Sequence, residues 1–361
     1  MTRTFIWISA ALSVAAVPSA AAQEFYAGKS IEIIVPLGPG GQMDIATRVL
    51  AKHLASFVEG NPKVRVVNVT GGGGILGANQ FELNRKHDGT NFLMTGTATV
   101  MDWMLGRSVV KYDFKKIHPL WAAPNPSVVF FPKSTGIATV ADMKSPAKPL
   151  ISGVVAPTGP ELPTFMMLHM AGLLDKVRVV QGYKSGNDVT AAFLAGEINF
   201  GRNSHGSFDQ RFKEPLSKGE LNIIYTHGFY DPKGNYVADP KRPQLPNLEG
   251  AYLALTGKKP AGEFWEAAML FNRVNVMGGV NFGMHLDAPD AAKKAMDRGV
   301  AKMVADAQFQ KDMGAIFGVE YPSLSGAALQ AAHAQMANAD PALVKLVQKF
   351  LVEKFNYKFT D

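Results

Sequence analysis

The chain has 361 residues, of which 47% are hydrophobic, so it can form two domains with packed cores and is too apolar for intrinsic disorder. Its formal net charge of +7 is not concentrated in a basic run with interleaved aromatic residues, so we expect no nucleic-acid binding. There are no cysteines, which excludes disulfides, thiolate metal sites and cysteine nucleophiles.

The first 22 residues have the pattern of an export signal. Arg3 precedes an apolar run over residues 5–17, and Ala20-Ala21-Ala22 form an A-x-A motif, which predicts cleavage after Ala22. The alternative, an N-terminal membrane anchor, fits less well because the apolar run is short for a bilayer span. Since a lipid anchor would need a cysteine, we expect a free chain in the periplasm without stable membrane insertion.

Strands and helices alternate after this signal. The predicted elements are, in order, a strand Ile31–Leu37, a helix Ile45–Val58, a strand Val64–Val69, a short helix from Ala78 and a strand Asn91–Thr95. This βαβαβ pattern is typical of a parallel sheet with helices on both faces. His53 falls in the apolar stripe of the first helix, so we expect a packed core residue rather than a ligand.

A similar alternation begins again in the middle of the chain. The predicted strands are Val128–Pro132, Pro149–Val154, Val177–Val180, Asn199–Gly201 and Leu221–Thr226, and the predicted helices are Glu161–Leu174 and Asn187–Ala195. Residues 228–263, rich in proline, glycine and charge, are expected to be loops and short turns. Two helices close the chain, the first capped at 287–290 and the second by Asp340-Pro341. We therefore expect an α/β fold with two lobes and a cleft between them.

The loop PLGPGGQMD, which follows the first strand, has the features of an anion-binding turn. Gly40 and Gly41 allow a tight turn that exposes backbone N–H groups, and the next helix directs its positive N-terminal end into the loop. A carboxylate or phosphate could accept several hydrogen bonds there. Asp44, in the first helical turn, is expected to organise the loop rather than to contact the ligand. The alternative is a plain turn between a strand and a helix.

A second glycine run, GGGGILG, matches the dinucleotide-binding pattern at Gly72, Gly74 and Gly77. The acidic residue that would bind the ribose is due at the end of the next strand, which instead ends in Thr95-Gly96. An exported protein would also meet little free nicotinamide cofactor. We therefore expect no bound cofactor.

Catalytic and metal-binding motifs are weak. Ser145 and Lys148 have S-x-x-K spacing, but Pro146 interrupts the helix that this motif requires. The histidines lack the spacing of metal ligands, and no set of nucleophile, base and orienting residue is evident. We predict no catalytic residue and no metal site.

Three segments carry a family resemblance. The first is YAGKSIEIIVPLGPGGQMDIATRVLAKHL; the second is VRVVNVTGGGGILGANQF with the following DGTNFLMT; the third is VQGYKSGNDVTAAFLAGEINFG. They resemble the tripartite tricarboxylate transporter receptors, the Bug-type periplasmic solute-binding proteins. The resemblance is strong over 26–125, clear over 150–205 and fades after about 240. The matching residues are Asp44, Arg48, Asn68, Gly77, Ala78, Asn79, Asp88 and Gly89.

This resemblance implies a type II periplasmic binding protein fold, with two α/β lobes joined by two crossovers and a ligand cleft between them. On this basis we assign 23–123 and 271–361 to lobe 1 and 124–270 to lobe 2. It also implies a soluble receptor, expected to be a monomer and not an enzyme, that captures a small organic acid for the membrane subunits of a tripartite transporter. An exported α/β enzyme acting on a carboxylate is the alternative.

The resemblance also implies which residues bind the ligand. The loop after the first strand, Gly38–Gln42, and a matching loop in the second lobe, Ala156–Glu161, would hold its carboxylate. Lys184, Asn187 and Asn203 could equally be surface residues. Pro157 and Pro160 depart from the family pattern. The implied contacts are Gly38, Pro39, Gly40, Gly41, Gln42, Asp44, Thr97, Pro157, Thr158, Gly159, Lys184, Asn187 and Asn203.

Overall fold

A computed structural model describes residues 24–231, 233–318 and 320–359, so the predicted export signal and its cleavage site lie outside the described residues. The strands are β1 (Ser30–Val35), β2 (Lys63–Asn68), β3 (Asn91–Gly96), β4 (Ile117–Ala123), β5 (Ser127–Pro132), β6 (Leu150–Val154), β7 (Val177–Gln181), β8 (Gly201–Ser204), β9 (Leu221–Thr226), β10 (Phe229–Tyr230), β11 (Tyr236–Val237) and β12 (Val280–His285).

The helices alternate with these strands. They are α1 (Gln42–Phe57), α2 (Ile75–Asn84), α3 (Thr97–Met104), α4 (Leu162–Met170), α5 (Gly186–Leu194), α6 (His205–Arg211), α7 (Lys213–Ser217), α8 (Leu248–Thr256), α9 (Glu263–Met277), α10 (Asp290–Ala305), α11 (Ala307–Phe317), α12 (Gly326–Ala337) and α13 (Pro341–Phe355).

The first sheet has the strand order β2-β1-β3-β12-β4. Strand β1 is parallel to both β2 and β3, which confirms the predicted βαβαβ unit. Strand β12, which returns from the C-terminal part of the chain, is antiparallel to β3 and β4. The sequence analysis did not predict β12, although Val280, Phe282 and Met284 alternate with Asn281, Gly283 and His285; all six residues are buried in the structure.

The second sheet is mixed. Strand β5 pairs antiparallel with β8 and β9, and β6 pairs parallel with β7. A parallel bridge between Ser152 and Phe200 joins β6 to the residue before β8, which gives the order β7-β6-β8-β5-β9. The carboxyl ends of β6 and β8 therefore lie at the same edge of this sheet.

The two sheets are the centres of two lobes that share much of their packing. One buried apolar cluster includes Ile34 and Phe81 near the first sheet, Val129 and Tyr225 in the second, and Phe271 in α9. Helix α9 contacts α3, α4 and α13. A long apolar interface therefore joins the lobes on the side of these helices.

Several sequence predictions require correction. Residues 228–263 were expected to be loops, but they include the β10–β11 hairpin and helix α8, whose buried side contains Leu248, Ala251 and Leu255. Four helices, not two, follow β12 within the described residues. The environment of His53 is only partly apolar, because its Nε2 lies 2.9 Å from an Asp312 carboxylate oxygen. None of the helices in the described residues combines the length and apolar character needed to span a membrane.

Candidate ligand-binding site between the two lobes

The first glycine loop lies where β1 ends and α1 begins, at the carboxyl edge of the first sheet. Residues Gly38, Pro39 and Gly40 are exposed. Gly40 has a φ of 75°, which favours glycine, whereas Gly41 has a φ of −78° and space for a Cβ atom. The expectation that both glycines are needed for the turn is therefore wrong for Gly41. No side chain caps α1, so its first N–H groups are available to an anion.

The Asp44 carboxylate stabilises this loop through hydrogen bonds. Its carboxylate accepts hydrogen bonds from the Gly40 N–H at 2.9 Å, from Arg48 Nε and Nη2 at 3.1 and 3.0 Å, and from Asn68 Nδ2 at 2.9 Å. Burial by itself raises the pKa of Asp44, but the hydrogen bonds from Arg48, Gly40 and Asn68 outweigh it and lower the pKa. The side chain is thus committed to protein partners and does not face a ligand.

Gln42 connects the two lobes. Its Oε1 accepts hydrogen bonds from Asn125 Nδ2 at 2.9 Å and from Ser204 Oγ at 3.3 Å, while its Nε2 donates to the Ile316 carbonyl at 3.2 Å. Asn125 lies in the crossover between β4 and β5, and Ser204 ends β8 in the second sheet. The residue after the glycine loop therefore ties lobe 1, the crossover and lobe 2 together.

The second predicted loop is more enclosed than the sequence suggests. Pro157, Thr158 and Gly159 are all buried, and Thr158 Oγ1 donates a hydrogen bond to Asp102 Oδ1 in α3 at 3.2 Å. Burial raises the pKa of Asp102 to about 6, against the opposing effects of Arg107 and Thr158. The Thr158 hydroxyl, expected to contact a ligand, instead contacts a carboxyl group of the other lobe.

The other predicted contacts are scattered. Thr97 begins α3 at the carboxyl edge of the first sheet, with its Oγ1 3.5 Å from the Asn275 carbonyl. Asn203 donates to Thr190 Oγ1 at 3.2 Å within lobe 2. Lys184 and Asn187 are exposed, and neither side chain forms a hydrogen bond or ion pair among the described residues.

Arg202 is the functional candidate that sequence reasoning missed. It lies in β8, and its Nη2 donates to Ser127 Oγ and, at 3.0 Å, to Asn275 Oδ1. Its Nε is buried and has no hydrogen-bond partner in the described part of the chain. Desolvation lowers the pKa of Arg202 and raises that of Glu161, and each charge partly offsets the shift of the other. The sequence feature that could have identified Arg202 is the presence of a charged residue inside the short strand GRNS.

Arg202 and Ser204 are two residues apart in β8, so their side chains leave the strand on the same face. Ser204 contacts Gln42, which begins α1 directly after the glycine loop. Arg202, the uncapped end of α1 and Thr97 therefore lie on elements that begin or end near the region between the carboxyl edges of the two sheets. We call this region the interlobe cleft. Arg202 and the first N–H groups of α1 supply donors that a carboxylate could accept, although the buried carboxyl group of Glu161 also acts on Arg202.

A buried hydrogen-bond network is connected to Arg202 through Asn275. Asn275 Nδ2 donates to His227 Nδ1 at 2.8 Å, and His227 Nε2 lies 3.0 Å from Thr164 Oγ1. Burial lowers the pKa of His227 to about 3, with a further contribution from Arg202. The imidazole is therefore neutral, and both of its nitrogens are occupied by protein groups.

Comparison with known proteins supports this architecture. No protein-family profile matches the chain. Protein BugT of Bordetella pertussis is 36% identical over 77 residues, a match that spans 21% of this chain and only 23% of BugT. The structure of periplasmic binding protein BugD superposes with a TM-score of 0.63 at 14% identity, covering 91% of this chain and 99% of BugD.

A third similar protein is R. palustris Rpa4515, solved with adipate. It has a TM-score of 0.64 and 16% identity, covering 91% of this chain and 97% of Rpa4515. At such low identity these structures establish the fold alone. The comparisons confirm that the chain has the two-lobed fold of periplasmic binding proteins and that it resembles the Bug-type receptors, in sequence over 77 residues and in fold over 91% of its length.

Proposed function

We propose that the chain is a periplasmic receptor that binds a small carboxylate-bearing organic acid in the interlobe cleft. Its ligand would then pass to the membrane subunits of a tripartite tricarboxylate-type transporter, as the family resemblance implies. The relatives named above support the class, since BugD is a periplasmic binding protein and Rpa4515 was solved with adipate.

The observation that carries the proposal is the unpartnered Nε of Arg202. An N–H donor on a desolvated cation is costly to leave unpaired, and a ligand carboxylate oxygen would accept the hydrogen bond that the nearby Glu161 does not provide. The free N–H groups at the start of α1 offer a second set of donors. Together they fit an acid whose carboxylate groups reach both lobes.

The test is calorimetric titration with a panel of small mono-, di- and tricarboxylates, beginning with adipate. Arg202→Gln should weaken binding about tenfold or more, because a hydrogen bond to a charged group contributes about 1.5–3 kcal/mol. Arg178→Gln is the matched control, since Arg178 is exposed in β7 of the same lobe and should leave affinity unchanged. Failure of every acid to bind, or equal affinity of the Arg202→Gln variant, would contradict the proposal.

The alternative of an exported enzyme is weakened by the direction of one hydrogen bond. Thr164, His227 and Asn275 are arranged like a nucleophile, a base and an orienting group. However, His227 Nδ1 accepts from Asn275, so Nε2 carries the proton and donates to Thr164. The imidazole cannot take a proton from that hydroxyl. NMR of a bound acid recovered after long incubation should show it chemically unchanged.

Delivery to a transporter requires its own test. Uptake of labelled ligand by cells should depend on this chain and should fall when Arg202→Gln replaces the native residue. Uptake that persists at the native rate would separate ligand binding from transport.

A further inference from the structure

A cluster of histidine and carboxylate side chains lies at the edge of the first sheet opposite the interlobe cleft. His285 ends β12, and His87 precedes β3. Because β12 is antiparallel to β3, the end of one strand lies beside the start of the other. Glu82 reaches this point from α2, and Asp287 from the turn before α10.

Three buried atoms in this cluster form no hydrogen bond with any described residue: Glu82 Oε2, His87 Nε2 and His285 Nε2. Glu82 Oε2 lies 3.7 Å from His285 Nε2. Ligand atoms of His87, His285 and Asp287 lie within 4.8 Å of one another. A buried polar group without a hydrogen bond costs about 1–3 kcal/mol, so unsatisfied ligand atoms on neighbouring side chains favour a binding role for this cluster.

We propose that Glu82, His87 and His285 bind a divalent metal ion of the Zn²⁺ class, with Asp287 supporting the site. Two imidazole nitrogens and one carboxylate oxygen form a donor set that suits Zn²⁺, and a water molecule can complete the tetrahedron. Phe81 is fully buried and lies beside both imidazole rings, so one wall of the site is apolar.

The surroundings of His285 Nδ1 leave Nε2 as the atom that would bind the metal. The Asp287 N–H now donates to His285 Nδ1 at 3.1 Å. Coordination through Nε2 moves the ring proton to Nδ1, where Asp287 Oδ2, 3.5 Å away, can accept it.

Metal binding also requires one rearrangement. The His87 and His285 rings are stacked, with centroids 3.6 Å apart and planes at 11°. Two parallel rings cannot both direct an in-plane lone pair at one ion. His87 is only half-buried and precedes a turn, so it is the ring that rotates, while the buried His285 stays in place.

The experiment uses the full chain, purified without a polyhistidine tag and stripped with EDTA. Calorimetric titration with Zn²⁺ should give one ion per chain, and Co²⁺ should give the visible absorption of a tetrahedral site. His87→Gln and Glu82→Gln should each weaken Zn²⁺ binding more than about tenfold. These two variants are preferred to His285 variants, because His285 is only 2% exposed and its replacement could prevent folding.

His118→Gln is the matched control. His118 Nε2 lies 2.9 Å from Asp297 Oδ1, and this histidine–carboxylate pair of the same lobe belongs to no group of side chains, among the described residues, that could hold a metal ion. This variant should bind Zn²⁺ as the parent does. The proposal is overturned if the parent chain binds no stoichiometric metal, or if His87→Gln and Glu82→Gln, folded by circular dichroism, bind it equally well.

Discussion

Asn275 donates a hydrogen bond to His227 Nδ1 over 2.8 Å, and the direction of this bond determines the imidazole tautomer. The amide cannot be reversed, since Arg202 donates to its Oδ1 and its Nδ2 also donates to the Pro160 carbonyl. The network therefore positions the Arg202 guanidinium and leaves His227 without a free basic nitrogen. The site therefore lacks the free base that acid–base catalysis by this histidine would need.

His227 should make the protein sensitive to acid. Its pKa is about 3 in the folded chain and 6.5 by reference, so the unfolded state binds the proton more tightly and stability falls as the pH falls through this range. His227→Gln should reduce the loss of stability between about pH 7 and pH 4 by roughly 3 kcal/mol. Denaturant unfolding at the two pH values measures this. An unchanged pH dependence would refute the buried neutral imidazole.

Asp102 should make the protein less stable as the pH rises, which is the opposite of the effect of His227. Its pKa is raised to about 6 from 3.8, so the folded state holds the proton more tightly and stability falls as the pH rises from 4 to 6. The change in the free energy of unfolding that Asp102→Asn causes should be more stabilising at pH 7 than at pH 4, by about 2 kcal/mol. Asp44→Asn is the control of opposite sign, because the pKa of Asp44 is lowered. The prediction fails if the Asp102 variant shows the same trend as the Asp44 variant.

Gly41→Val should separate binding from folding. A Cβ at Gly41 meets nothing closer than the Gly38 carbonyl at 3.7 Å, so the fold should persist while the branched side chain covers the loop N–H groups. Gly40→Val should instead lower stability by about 1 kcal/mol or more, since its φ is 75°. Melting temperatures, and affinities for whichever acid of the panel binds the parent chain, distinguish the two variants. If Gly41→Val binds with native affinity, the loop is only a turn.

Gly206→Ala should disturb the contact between the lobes. A Cβ at this position would lie 2.0 Å from the Ile316 carbonyl oxygen, so α6 must move away from α11. Small-angle X-ray scattering should show a larger radius of gyration, and the melting temperature should fall. Gly186→Ala, with open space around its Cβ position, is the control. Identical scattering from both variants would show that the arrangement of the lobes does not depend on the close contact between α6 and α11.

The local pattern of the sequence was sufficient for the parallel unit of the first sheet. Apolar runs, glycine loops and amphipathic helices placed β1, α1, β2 and β3 within a few residues of their positions, and Asp340 caps α13 as predicted. These features depend on backbone preferences and on side chains near in sequence, which a single chain displays directly.

Tertiary structure alone decided how the cleft and the histidine cluster are built. Arg202 becomes a candidate only when β8 brings it to Ser127 and α9 brings Asn275 to it, contacts that span 75 and 73 residues. His87 and His285 are far apart in sequence and meet because β12 inserts antiparallel beside β3. Such encounters depend on the order and direction of strands in a sheet, and these follow from the packing of the whole chain rather than from any local pattern.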